Sequence, residues 1–319
     1  MRVNKINKNL KLEEIEREYR KIEHELPPDR RIDNVDISND FMFCHIMQDK
    51  EIFKELVHRI MPNINIQRVE YCEYQKTLQE NRETRGARFD VYANTDGGTK
   101  IFDIEMQNVD EDDLAKRARY YHSMMSSSIM ARDKIKTYDD LPLEFVIFIC
   151  KFDLFNQGRH IYRFKNFCCD DKNLPLNDGT MTIFLNAYGL QDDVSPGLKN
   201  FLNFIIGRTC SDPFIKKLEK MVEITRQSAE WRMNFMIMSM NERKTLRKGM
   251  AEGLKEGERI GIIKGERRGI IKGERRGARN EKFSTAQRLY SMGLPLNNIC
   301  EATQLSMADL KSIIDINKD

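Results

Sequence analysis

The chain has 319 residues, 40% of them hydrophobic and 32% charged, with a formal net charge of +3. That length supports a sizeable core, and the near-balanced charge excludes a global polycation, so a nucleic-acid surface must be a local patch. Seven cysteines without a CxxC and five histidines without an HxxxH point to reduced thiols and away from zinc, and the lack of a signal-peptide core or long apolar run predicts a soluble, cytoplasmic protein with no membrane partner.

Residues 1–32 read as a polar helical arm at the periphery, with Leu10, Leu12, Ile15, Tyr19 and Ile22 at helical spacing before Pro27-Pro28. Ser38, Asn39 and Asp40 are N-cap residues for a helix carrying Phe41, Phe43, Cys44, Met47, Phe53, Leu56, Val57 and Ile60 and stopping near Pro62. A strand is predicted at 64–72. Arg88-Phe89-Asp90-Val91-Tyr92 and Phe102-Asp103-Ile104-Glu105-Met106-Gln107 alternate as strands, and the Asp96-Gly97 pair between them makes a hairpin. A helix is expected over 112–131, and the apolar run 145–150 suits a strand buried on both faces. Further strands are expected at 160–164 and 181–185, then helices over 198–206 and from 212 to about 243. This order describes a mixed α/β sheet flanked by helices.

Glycines then recur at every fourth position from Gly249 to Gly277, and the octapeptide Gly-Ile-Ile-Lys-Gly-Glu-Arg-Arg occurs in tandem from Gly261 and from Gly269. Each glycine costs a helix about 1 kcal/mol relative to alanine, yet helix is the best local expectation in a segment without proline. A flexible linker, a glycine-packed contact between copies, which would make the protein a homo-oligomer such as a dimer, and a DNA-tracking arm are the three readings of its role. Residues 284–315 read as a small helical unit resembling a helix-turn-helix, or alternatively a helical cap or dimer contact. The expected divisions are therefore 1–32, 33–195, 196–247, 248–282 and 283–319.

The chemistry concentrates in the hairpin. With a side-chain period of two, Arg88, Asp90 and Tyr92 share one face and Asp103, Glu105 and Gln107 another. If these faces coincide, carboxylates converge, and they repel unless a cation such as Mg²⁺ lies between them. The bland alternative is one wet face of an antiparallel pair. Downstream, Arg117, Arg119, Tyr120 and Tyr121 are donors suited to a phosphate backbone, or else line a solvated helix face. No Ser/His/Asp or Cys/His arrangement supports another hydrolase.

The pattern Asp90…Glu105-x-Gln107 resembles the PD-(D/E)XK nuclease superfamily, in its branch of recombination-promoting nucleases and transposases (Rpn). Further strings are similar to that family: Asn39-Asp40-Phe41-Met42-Phe43, Arg117-Ala118-Arg119-Tyr120-Tyr121, the run Phe148 to Phe155, Asp178-Gly179 with Ile183 to Asn186, and Glu230-Trp231-Arg232. The resemblance implies a restriction-endonuclease-like core followed by a helical extension, and a Mg²⁺-dependent DNA endonuclease, with Mn²⁺ able to substitute, acting in recombination, mobile-element biology or defence. Asp90, Glu105 and the Met106 carbonyl would hold the metal, and Gln107 stands where the superfamily usually has lysine. Asp40 would assist the metal or cap its helix, with capping the stronger expectation. Asp103 would be a surface or supporting residue, and Arg88 a phosphate contact. The alternative is a catalytically weak or inactive DNA-binding or oligomerising protein that retains the fold.

Overall fold

The computed structural model of the protein describes residues 2–78, 86–110, 112–130 and 137–315. In chain order these form α1 (Arg2–Glu23), α2 (Asp40–Ile46), α3 (Lys50–Ile60), β1 (Val69–Leu78), β2 (Ala87–Thr95), β3 (Lys100–Gln107), α4 (Leu114–Met130), β4 (Leu143–Cys150), β5 (Ile161–Phe164), β6 (Thr180–Asn186), α5 (Pro196–Ile205), α6 (Pro213–Gln227), α7 (Ala229–Ser291), α8 (Leu296–Thr303) and α9 (Met307–Asp315). Ala131, the side chain of Cys72 and residues 316–319, all covered by the expectations above, lie outside the described residues.

The six strands make one sheet in the order β1-β2-β3-β4-β6-β5. β1, β2 and β3 pair antiparallel, β3, β4 and β6 parallel, and β5 returns antiparallel. α4 is the crossover between the parallel strands β3 and β4, as such a connection requires. The fold is thus a mixed sheet flanked by helices, followed by a helical extension.

The hairpin turn is fixed by its chemistry. Asp96, Gly97 and Gly98 all take positive φ (54°, 73° and 95°), a region that glycine enters without strain. The Asp96 carboxylate then accepts from the amides of Gln67 and Arg68, both at 2.8 Å, and from Lys100 Nζ at 2.6 Å, tying the turn to the segment before β1.

Each face of the sheet has its own core. One, built on Val91, Ala93, Phe102, Ile104, Met106, Ile147 and Ile183, is covered by residues of α1 to α3, α5, α6 and the start of α7. The other, built on Ile101, Val146, Phe148 and Phe184, is covered by Leu114, Ala118, Tyr121, Met125 and Ile129 of α4. The N-terminal arm is less peripheral than its polarity suggests, because Tyr19 is fully buried and accepts from the Ile32 amide at 3.1 Å.

Several element boundaries differ from the sequence expectation. The helix expected from 41 to 60 is two, because Asp49 caps a fresh start by accepting from the amides of Glu51 and Ile52. The first edge strand runs over 69–78 instead of 64–72. The stretch from 212 to 243 breaks at Ser228, whose extended backbone ends α6.

The chain divides into two compact units, Met1–Met240 and Asn241–Asp319. In the second, α7 continues as unbroken helix through the whole glycine series to Ser291. Its C-terminal turns join α8 and α9 around Ala286, Ile299 and Leu310.

Candidate active site

The ladder between β2 and β3 ends at the Val91–Ile104 pair, and side chains take over from there. Asp90 N donates to Glu105 Oε1 at 2.8 Å, while Met106 N donates to Asp90 Oδ2 at 3.1 Å. Each carboxylate therefore replaces a main-chain acceptor and binds the other residue's strand. Cys44 Sγ, from α2, donates to the Asp90 carbonyl at 3.2 Å. Burial, together with the negative charges of Asp90, Asp40 and Glu105, holds this thiol protonated well above its ordinary range.

Of the two positions expected for Asp103, the structure excludes the surface: the residue is fully buried beside Glu105, and no N–H group donates to either of its oxygens. The reason is α4: the face that Asp103 and Glu105 share is covered by that helix instead of by water. Burial pushes the Asp103 carboxyl well up, and the neighbouring Glu105 and Asp90 charges push it further. Asp90 is raised well above the usual carboxylate range by burial, then by Glu105 and Asp40, against the Met106 amide and Arg88. Glu105 is raised by burial, opposed by the Asp90 amide and by Arg117. Two carboxyls in contact inside a low-dielectric core are satisfied by sharing a proton or by a cation.

Arg117 points into this group. Its Nη2 donates to Gln107 Oε1 at 2.5 Å and lies 3.8 Å from Glu105 Oε2. Its guanidinium sits over the rings of Phe148 and Tyr121, with centroids 5.3 and 5.8 Å away. Gln107 is held at both ends, since its Nε2 donates to the Val109 carbonyl at 3.0 Å. Tyr121 is also inward, buried on Phe89 and donating its hydroxyl to the Arg88 carbonyl at 3.2 Å. Burial, then the Glu105 charge, raises that phenol. Of the proposed phosphate contacts, Arg88, Arg119 and Tyr120 are the exposed ones.

Asp40 does not cap its helix in the expected way. Asn39 is the N-cap, accepting from the amides of Phe41 and Met42, and Asp40 is the first helical residue, accepting from the Phe41 amide at 2.8 Å. Sequence reasoning passed over Lys151. Gln107 pairs with Cys150, so Lys151 emerges beside the end of β3, donating its amide to the Gln107 carbonyl at 3.0 Å and its Nζ to Ser38 Oγ at 3.2 Å. Asn108 Nδ2 donates to the Ser38 carbonyl at 2.7 Å on the same edge. The available signal was a lysine immediately after the apolar run that forms β4.

Asp90, Glu105 and the Met106 carbonyl are hard oxygen donors of the kind Mg²⁺ takes. Among the described residues, no three His, Cys, Asp or Glu side chains are grouped to hold an ion. One oxygen of each carboxylate is committed to a backbone amide, and a guanidinium faces the second oxygen of Glu105.

Residues 37–195 match the model of a family described as PD-(D/E)XK nuclease family transposase. The chain belongs to the PD-(D/E)XK nuclease and transposase superfamily. No curated protein and no solved structure matches it. The PD-(D/E)XK segment spans α2 to β6 and ends at Ser195, the N-cap of α5, so α5 to α9 lie beyond it. Within it, Asp90 and the Glu105-x-Gln107 string stand on adjacent strands at the point where their ladder opens.

Proposed function

We propose that this protein is a DNA-binding member of the PD-(D/E)XK superfamily that keeps the nuclease fold with little or no cleavage of its own. The observation that supports this most directly is Arg117, bonded to Gln107 and set against the outer oxygen of Glu105. A divalent cation at Asp90 and Glu105 would meet a guanidinium that is always charged and is braced by two aromatic rings. Gln107 carries no charge and its Nε2 already donates to the Val109 carbonyl, so it does not stabilise an anion developing on a phosphate as a lysine would. Arg88, Arg119 and Tyr120 are the exposed donors on the core through which a phosphate backbone would be held.

A second reading is favoured by one observation, the convergence of the Asp90 and Glu105 carboxyls beside Met106 where the β2–β3 ladder opens. Burial, then the Glu105 charge, raises Asp90, a penalty that a cation between the two acids would relieve, and this supports a Mg²⁺-dependent DNA endonuclease of the Rpn branch, with Mn²⁺ as a substitute. Asp90, Glu105 and the Met106 carbonyl would hold the ion, which would supply Lewis acidity at the scissile phosphate. A cytoplasmic setting in recombination, mobile-element biology or defence, and assembly as a homo-oligomer, belong to both readings.

Two measurements on the purified chain separate them: binding of labelled duplex DNA, and nicking of supercoiled plasmid with Mg²⁺ or Mn²⁺. Binding with nicking no faster than in Asp90→Ala and Glu105→Ala is the expected result. Metal-dependent nicking that both substitutions abolish would overturn the first reading in favour of the second. Nicking that persists in both would locate the activity elsewhere.

A further inference from the structure

The tandem octapeptide of α7 separates its charges instead of neutralising them. On a helix, side chains meet at separations of three and four. Those positions around Glu266 hold Ile262, Ile263, Gly269 and Ile270, and around Glu274 they hold Ile270, Ile271, Gly277 and Ala278. Neither glutamate can reach a basic residue along its own helix. The preceding turns behave differently, with Arg259 on Glu256 at 2.6 Å and Lys248 facing Glu252 at 3.8 Å.

At about 100° per residue, Lys264, Arg268, Lys272, Arg275 and Arg276 fall within an arc of roughly 120° over about 18 Å of helix axis, with Glu266 and Glu274 on the opposite side. All five are exposed, and none has an ion-pair partner among the described residues. Gly261 and Gly265 lie on the same arc, and a Cβ added at either would touch nothing within 4 Å. Packing within the chain therefore does not require these glycines, although each weakens the helix. Without side chains there, an outside partner can come close to the helix backbone between the basic residues.

We propose that this stripe docks the phosphate backbone of duplex DNA. Charge complementarity selects that occupant. Residues 261–276 carry six basic and two acidic residues, so two copies pairing along the repeat would oppose like charge to like. A duplex presents a negative charge about every 1.7 Å of its axis, so several phosphates fall within reach of the stripe. The site lies outside residues 37–195 and extends the reading of the core to a second, independent contact.

The test uses the full chain, a duplex of about 30 base pairs and arbitrary sequence, and fluorescence anisotropy between about 50 and 200 mM salt. Replacing Lys264, Arg268, Lys272, Arg275 and Arg276 together by Gln should flatten the slope of log K against log salt by about 3 to 4.5, for three to five phosphate contacts at about 0.9 each, and weaken binding at least tenfold. The variant Arg268→Lys/Arg275→Lys/Arg276→Lys, which keeps the charge, should retain the wild-type slope. Circular dichroism checks that α7 remains helical, and the single substitution Arg275→Glu gives a second, milder reading of the same loss. Arg88→Gln/Arg119→Gln, which removes the contacts proposed for the core, should leave the change produced by the five-site substitution intact, so a failure of the core reading and a failure of the stripe are told apart. An unchanged slope and affinity in the five-site Gln variant would overturn the proposal. So would a loss of dimer with DNA affinity intact, which would assign the stripe to a second copy, or a loss confined to anionic vesicles, which would assign it to a membrane surface.

Discussion

Asp90 and Glu105 hold each other's strands through their side chains: Glu105 Oε1 accepts the Asp90 amide at 2.8 Å, and Asp90 Oδ2 accepts the Met106 amide at 3.1 Å. The two acids are therefore structural where the ladder opens, whatever else they do. Removing either leaves a buried amide without its acceptor, at a cost of about 1–3 kcal/mol. Loss of activity in an Ala variant is consequently informative only if folding is measured beside it, and Asp90→Asn and Glu105→Gln, which keep an acceptor oxygen, are the better pair.

Asp103 is expected to be a liability to stability. Its carboxyl is raised by burial and by Glu105, so the folded state holds a proton that the unfolded chain has already released. Stability from this group is fully present below the ordinary carboxylate range and declines as pH rises through the raised value. Asp103→Asn should therefore stabilise the protein at neutral pH by about 1–3 kcal/mol and flatten the dependence of Tm on pH above the carboxylate range. Thermal melts of both proteins across pH 4 to 8 check this, and equal Tm values at every pH would refute it.

Arg59 and Asp212 behave in the opposite sense. Arg59 Nη1 and Nη2 grip Asp212 at 2.6 and 3.0 Å, the same Arg donates to the Gly197 carbonyl at 2.8 Å, and Asp212 caps α6. The Arg59 contact is the main reason that the Asp212 carboxyl is lowered to about 2. A depressed acid stabilises above its unfolded value, and this contribution is lost as pH falls towards about 2. Arg59→Ala should cost about 3–5 kcal/mol by urea unfolding, because it strands a largely buried charge. Asp212→Asn, which can still cap, should cost less and should remove part of the acid-limb loss.

Much of the fold was legible in the residues. Alternation gave the hairpin, the apolar run 145–150 gave the central strand, and Asp96-Gly97 gave the turn. Periodicity says which residues share a face but not what covers that face, which is why a surface position stayed open for Asp103 although it lies buried under α4. Likewise, the string from Arg117 to Tyr121 offers donors without showing that Arg117 and Tyr121 turn inward while Arg119 stays exposed. The pairing of Lys151 with the end of β3 is a register fact, invisible until two distant strands are set side by side.

Moving the positive charge should wake the site. Arg117 both occupies Gln107 and faces Glu105, so the pair Gln107→Lys/Arg117→Gln places a cation on the strand and removes the one on the helix. One well-placed donor to a developing charge contributes about 10²–10³-fold in other enzymes. Even a tenth of that should give a measurable gain in Mn²⁺-dependent plasmid nicking over wild type. A double variant that folds, binds DNA and nicks no faster would show that Arg117 is not what restrains the centre.

The glycines of α7 give a final test that needs no DNA. Nothing lies within 4 Å of a Cβ built on Gly253, Gly257, Gly261, Gly265 or Gly269, so alanine fits each position without displacing a neighbour. Each Gly→Ala change should then stabilise the helix by about 1 kcal/mol. Gly257→Ala/Gly265→Ala should raise the helical signal and its melting temperature in circular dichroism, with sedimentation unchanged. A lower melting temperature together with a smaller sedimenting species would mean that the glycines are closed over by another copy, since only a close external contact makes an added methyl costly at these positions.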